Sequence, residues 1–250
     1  MIQRRLMVWG LCAASLLLLT SSGALAVTED FGGHAKGTVV AGVLPLGGEA
    51  DSSTFFADFD LSVQNYGGGP RSCLIFDSNN PGPQDPDLGT PNETCSGGGP
   101  GVGVGGEVGQ PGENCDPMDN LLIVAEHLID GNGDDVVDEP NDEGDGGMIR
   151  FLFHSPVVLF YITLIDIEAQ PARETGSIEL YDGTSLVGEI PVVGLGDNCA
   201  ITIDFENYSD PVTRMDVTFS GSGGIGELEY RPSTTATEPS SWGQIKRNFR

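Results

Sequence analysis

The sequence predicts an all-β protein, an antiparallel β-sandwich with a jelly-roll-like path and about eleven strands. Three observations carry this. Glycine (37) and proline (16) are abundant while hydrophobic residues make up only 38% of the chain, which suits many turns and short strands. The apolar segments are short, alternate or are β-branched, and are bounded by Gly, Asn or Pro. No segment shows a clear helical period, and runs of strands without helices indicate a sandwich or barrel.

The elements follow in chain order. Arg4 and Arg5 precede an apolar run over 6–19, and Ala24-Leu25-Ala26 ends a small-residue stretch. This is the pattern of a signal peptide over 1–26, with the exported chain starting at Val27. The run is too short for a membrane anchor and lacks a stop-transfer flank, so no transmembrane segment is expected after cleavage. VTEDF (27–31) and GTVVAGV (37–43) read as short strands, TFFADFDLSV (54–63) and SCLIFD (72–77) as stronger ones. Residues 78–119 have little apolar periodicity and are rich in Gly, Pro and Asn. Within them 97–112 reads as flexible, and a loop of this length is usually functional or disordered.

NLLIVAEHLI (120–129) fits a buried strand or a short helix; its continuity and its neighbours favour a strand over 121–125. MIRFLFHS (148–155) alternates, and Pro156 is expected to break it before VVLFYITLIDIE, the central core strand. SIELYD and SLVGEIPV form a hairpin around Asp182-Gly183. CAITIDF, RMDVTFS and IGELEY complete the set. The sandwich domain thus spans 27–231. PSTTATEPSS, within 232–241, reads as a Ser/Thr/Pro linker, and 242–250 is a basic tail with Lys246, Arg247 and Arg250.

Charge and cysteines define the setting. Loss of 1–26 takes Lys plus Arg from 11 to 9 against 37 acids, a net charge of −28. Such a chain repels phosphates, which excludes nucleic acid as a partner. Cys73, Cys95, Cys115 and Cys199 remain, an even number that favours two disulfides in an exported protein. Three pairings are open. Cys95–Cys115 would close the Gly/Pro loop and leave Cys73 with Cys199.

The acidic loop at 130–147 is the most chemically distinctive stretch. In DGNGDDVVDEPNDEGD (130–145) half of the residues are Asp or Glu, and no Lys or Arg lies between Arg71 and Arg150. Against the EF-hand spacing of oxygen ligands at positions 1, 3, 5, 7, 9 and 12, the loop offers Asp130, Asn132, Asp134, the backbone of Val136, Asp138 and Asn141. Asp135 stands where the motif has glycine, a tolerable exchange because Asp enters the left-handed region more readily than most residues. Asn141 cannot supply a bidentate carboxylate, and Asp142 or Glu143 would have to replace it. Ca²⁺ is the expected ion; a solvated acidic loop is the alternative. Asp77, Asp85 and Asp87, with Asn79 and Asn80, form a second acidic group, although Asx residues beside Pro and Gly commonly build turns.

Several segments together resemble a group of exported bacterial β-sandwich proteins of uncharacterised function, often with C-terminal sorting sequences. They are EDFGG and GTVV near the start, LIFDSNNPGPQDPDLGTPN, NLLIVAEHLIDGNGDDVVDEPND, FHSPV, YDGTSLVGEIPV, GLGDN and FSGSGGIGELEY, covering about 29–231. The resemblance implies fold and location. Many sandwiches of this carbohydrate-binding-module-like design bind glycan and hold Ca²⁺ between first and last strands; by that analogy Asp30 and Glu227 form a second site. The C-terminus resembles short Trp-Gly-x-Ile-Lys-type tails, implying contact with export or sorting machinery.

No catalytic set emerges. His34, His127 and His154 lack metal spacing, G-x-S-x-G is absent, and paired carboxylates can be found anywhere in so acidic a chain. The expectation is therefore a secreted or cell-surface, non-enzymatic, Ca²⁺-stabilised sandwich that binds glycan or serves in a surface or matrix layer. Phe55, Phe56, Tyr66 and Tyr161 are candidates for stacking on sugar, most of them core candidates as well. The alternatives are a polysaccharide-active enzyme using carboxylates of 77–87 and 130–145, and a purely structural surface protein without soluble ligand.

Overall fold

The computed structural model describes residues 24–168 and 175–233. The expected linker from 234 onward, the basic tail and residues 1–23 of the expected signal sequence lie outside the described residues. The described residues form an antiparallel β-sandwich of twelve strands, with two short 3₁₀ turns at Ser52–Thr54 and Pro86–Leu88. The strands are β1 (Val27–Glu29), β2 (Val39–Val43), β3 (Glu49–Ala50), β4 (Phe59–Asn65), β5 (Ser72–Asp77), β6 (Asn120–Val124), β7 (Gly147–Ile165), β8 (Thr175–Asp182), β9 (Ser185–Val193), β10 (Ala200–Asp204), β11 (Val212–Phe219) and β12 (Gly224–Pro232).

One strand belongs to both layers. The first half of β7 pairs with β4 on one side and β11 on the other, continuing through β8 to β9. Its second half pairs with β12 and β10, and β12 continues through β6 and β5 to β2 and β3. The chain crosses between the layers at β3 to β4, β4 to β5, β9 to β10, β10 to β11 and β11 to β12, as in a jelly roll. Pro156 therefore does not end the strand as the sequence suggested. It sits where β7 changes partners, after Phe153 pairs with Phe59 and before Val157 pairs with Pro232. A missing N–H costs little there. The predicted strand at 54–63 also starts later, because Asp51 caps the turn at Ser52–Thr54 by accepting from the Ser53 N–H.

Between the layers Phe59, Phe151, Phe153 and Tyr230 meet edge-on or tilted, with Ile75, Leu122, Leu164 and Val217 packed around them. The strands β5 and β6 are buried on both faces, which explains their unbroken apolar runs. Their outer face carries a second apolar cluster, Leu74, Phe76, Leu121 and Ile123, closed by Leu88 of the long loop and Val137 of the acidic loop.

The long loop is thus a packed cover, contrary to the flexible reading of 97–112. Gly101, Gly103, Gly105 and Gly106 lie so close to the backbone of Gly89, Gly196, Asp197 and Asn198 that a Cβ would collide. Buried asparagines fasten it: Asn92 Nδ2 donates to Gly103 O (2.9 Å) and Asn198 Oδ1 (2.7 Å). Asn198 Nδ2 donates to the Asp87 and Gly89 carbonyls. The Cys95–Cys115 disulfide is formed. Cys73 and Cys199 are free, buried thiols, so the second expected bridge is absent; Cys73 packs in the core and Cys199 donates to Ile167 O.

Leu88→Ala should lower stability by about 2–5 kcal/mol in urea unfolding, because it opens a cavity under the loop. Val104→Ala, on an exposed position of the same loop, should change it by less than about 0.5 kcal/mol.

Candidate functional site

The acidic loop is wound before any ion is considered. The Asp130 carboxylate accepts from the N–H groups of Gly133 (2.7 Å), Asp134 (3.2 Å) and Asp135 (2.8 Å). Asn132 Oδ1 accepts from Asp134 N–H, and Asp134 Oδ1 from Val136 N–H. Desolvation opposes ionisation of Asp130, but the converging N–H groups outweigh it and hold its pKa below the ordinary value. Asp135 has φ +67° at the position where the motif has glycine. At the base, Asp138 N–H donates to Ile129 O, and Asp138 Oδ2 accepts from Gly131 N–H. Val137 N–H donates to the carbonyl of Gly37, whose φ of +79° and contact with Val137 O leave no room for a side chain.

Four of the proposed ligands are therefore drawn together. The Asn132 amide Nδ2 lies 3.1 Å from Asp134 Oδ2 and 3.4 Å from Asp138 Oδ1, a partial positive charge between two carboxylates. The last two are not. Asn141 contacts Glu126, and its Oδ1 is buried without a partner. Asp142 accepts from Ser222 Oγ (2.7 Å) and Gly223 N–H (2.5 Å). The chain turns inward at Pro140, so position 12 of the template is carried into the sandwich.

There Asp142 joins a buried run of acids that the sequence hinted at only through Asp85 and Asp87. Asp142 N–H donates to Asp85 Oδ2 (3.2 Å), and Ser222 Oγ lies within hydrogen-bond distance of both Asp142 and Asp166. Asp166 accepts from Asn198 N–H at 2.6 Å. Oxygens of Asp87, Asp166 and Asp197 come within 4.8 Å of one another. Burial first, then the Asp142 charge, pushes Asp85 up to about 8; burial and Asp197 push Asp87 up to about 6. Asp166 is raised as well, by burial and by Asp87. Asp77 stays outside this run and caps its own turn, accepting from Asn79 N–H.

A groove of about 350 Å³ lies on the outer face of the β12–β7–β10 layer, walled by residues 113–118 beside the disulfide. Two bulges create its floor. Phe160 is the extra residue on β7 and Gly226 on β12, as the register shifts show. The first reverses the inside-outside alternation so that Ile162 and Leu164 enter the core while Tyr161 and Thr163 face out; the second does the same for Leu228 and Glu227. Across the sheet, Glu227, Thr163 and Thr202 stand in one row, and Glu229, Tyr161 and Asp204 in the next. Tyr161 Oη donates to Glu227 Oε1 (2.8 Å), and the hydroxyls of Thr163 and Thr202 are 3.1 Å apart. Burial and the Glu227 carboxylate raise the Tyr161 phenol to about 12. A neighbouring cleft of about 150 Å³ holds Asp30 and Glu227 with Asp119, so the structure does bring the first-strand and last-strand acids to one place. Of the other stacking candidates, Phe56 is core, Phe55 is partly buried against it, and Tyr66 is half exposed.

No protein-family model and no curated protein matches the chain. Among solved structures it is similar to a fucose-binding module of Streptococcus pneumoniae, at 16% identity and TM-score 0.26 over 36% of this chain. It is also similar to the lectin domain of lectinolysin complexed with Lewis B antigen, at 11% identity and TM-score 0.26, again over 36% of this chain. The chain spans 66% of the first and 68% of the second. Likeness this slight transfers neither ligand nor site.

Because the folded pKa of Asp85 lies above its ordinary value of 3.8, the folded chain holds that proton more tightly than the unfolded one. In chelating buffer, thermal melts should show stability full near pH 4 and falling as pH rises toward about 8. Asp85→Asn should flatten that slope and gain about 1–3 kcal/mol at pH 8.

Proposed function

We propose that the protein is an exported, non-enzymatic β-sandwich that binds glycan in the Tyr161 groove, with Ca²⁺ held by the acidic loop. The groove carries this reading. It has the volume of a small-ligand site, an aromatic ring on its floor, two threonine hydroxyls, and carboxylates that accept hydrogen bonds from sugar hydroxyls. The disulfide beside its wall suits an oxidising compartment, and among the described residues no helix is long and apolar enough to cross a membrane. For the ion, Asp130, Asn132, Asp134 and Asp138 supply hard oxygen ligands in the order a calcium loop needs; Ca²⁺ there would screen their mutual repulsion and fix the loop against Gly37. The basic tail at 242–250 keeps its sequence-based role in export or sorting.

The enzyme alternative loses some of its carboxylates to the interior, and none of those at 77–87 or 130–145 lines the groove or the cleft. Asp85 and Asp142 are buried against each other and line neither groove nor cleft. A surface-layer role draws on a different feature, the edge strand β9, which exposes Leu186 and Val193; edge pairing between copies would appear as concentration-dependent association in sedimentation.

On a glycan array with residues 27–250, Tyr161→Ala should abolish binding or weaken it at least tenfold. Binding by wild type that Tyr161→Ala leaves intact would place the site elsewhere. Calorimetric titration with Ca²⁺ after chelation should give micromolar binding that Asp130→Ala removes. Asp30→Ala should leave that isotherm unchanged.

A further inference from the structure

We infer that the Tyr161 groove and the adjoining cleft select saccharides bearing free amino groups; this rests on the glycan-binding reading above. The two cavities share Pro117, Met118 and Glu227 and so form one continuous depression. Glu113, Asp116 and Glu227 line its larger part, Asp30 and Asp119 its smaller part, and no Lys, Arg or His lines either. Five carboxylates without a cation repel uronic or sulfated sugars and attract ammonium groups over several ångströms.

The arrangement is extended. Among the described residues the trio of acids whose oxygens gather within 4.8 Å is Asp87, Asp166 and Asp197, remote in role from this depression. Asp30, Asp119 and Glu227 are spread along the cleft, which fits amino groups repeated along a chain better than one divalent ion. Four of the five acids already have partners that leave an oxygen open: Asp30 Oδ1 accepts from Gly32 N–H, Glu113 Oε2 from Gly109 N–H, Asp119 Oδ1 from Asn79 Nδ2, and Glu227 Oε1 from Tyr161. These bonds hold the side chains in place. The Tyr161 ring and the Thr163–Thr202 pair give the depression a sugar-sized floor, which a site for basic peptide would not require.

The test uses residues 27–250 in low salt, titrated with four probes of matched length: a glucosamine oligomer, its fully N-acetylated counterpart, an oligogalacturonate and an oligolysine. The glucosamine oligomer should bind at least tenfold more tightly than the acetylated one. The galacturonate should not bind. The preference should vanish in Glu227→Gln combined with Asp119→Asn, while Tyr161→Ala weakens both sugars; matching circular dichroism and melts establish that the variants fold. Equal affinity for amino and acetylated sugars would overturn the selectivity and leave glycan binding standing. Oligolysine bound as tightly as the amino sugar, in Tyr161→Ala as well, would reduce the effect to polyelectrolyte attraction. A Ca²⁺ isotherm lost in Glu227→Gln, with the amino-sugar preference absent, would make the cleft an ion site. Failure of all saccharides to bind would defeat the glycan reading too.

Discussion

The sandwich depends on β7 lying in both layers at once. A strand of nineteen residues cannot serve two packed layers and stay straight, so it must bend and keep its apolar face inward on both sides of the bend. Two devices achieve this. Pro156 lies where ladder partners change, and the bulge at Phe160 resets the alternation by one residue. Without that bulge Tyr161 and Thr163 would point into the core and Ile162 out of it. The groove floor is therefore a by-product of how the core is closed.

The loops are ordered by a different kind of interaction. The outer face of β5 and β6 is too apolar to meet water, and among the described residues no α-helix covers it. The chain covers it with glycine-rich backbone, whose amides and carbonyls must then be satisfied in the interior. Asn92 and Asn198 do this with side-chain amides, each able to donate twice, while Asp166 and Asp142 accept from backbone N–H groups. Burying carboxylates in this role has a cost, seen in the raised pKa of Asp85 and Asp87.

Much of the fold could be read from the residues. SCLIFD and NLLIV were legible because continuous apolar runs bounded by Asn and Asp leave few alternatives, and β5 and β6 fall where expected. The winding of the first half of the acidic loop was legible because the carboxylates and amides that form it are close in sequence. The groove was not, since Tyr161, Thr202 and Glu227 come from three strands and face outward only through single-residue bulges that composition does not mark. Glycines 101–106 were misread for a related reason. Glycine supplies freedom in a linker and closeness in a packed loop, and only the neighbouring backbone distinguishes the two. The pairing of Cys73 with Cys199 failed because parity of cysteine count says nothing of where each thiol is buried.

Charge is handled differently at the three acidic places, and the difference separates structural acids from acids available to a ligand. In the loop, backbone N–H groups and one amide stand in for a cation and hold the Asp130 carboxyl below its ordinary pKa at the surface. In the interior, burial drives Asp85 and Asp166 toward the protonated form, which makes them poor partners for an incoming polar ligand. In the depression, Glu227 and Asp30 are only partly engaged and remain within reach of solvent. A positively charged or hydroxyl-rich molecule gains most where the acids are positioned and accessible together. Of the two places that meet those conditions, the compact loop is the one proposed for an ion and the depression the one proposed for a saccharide.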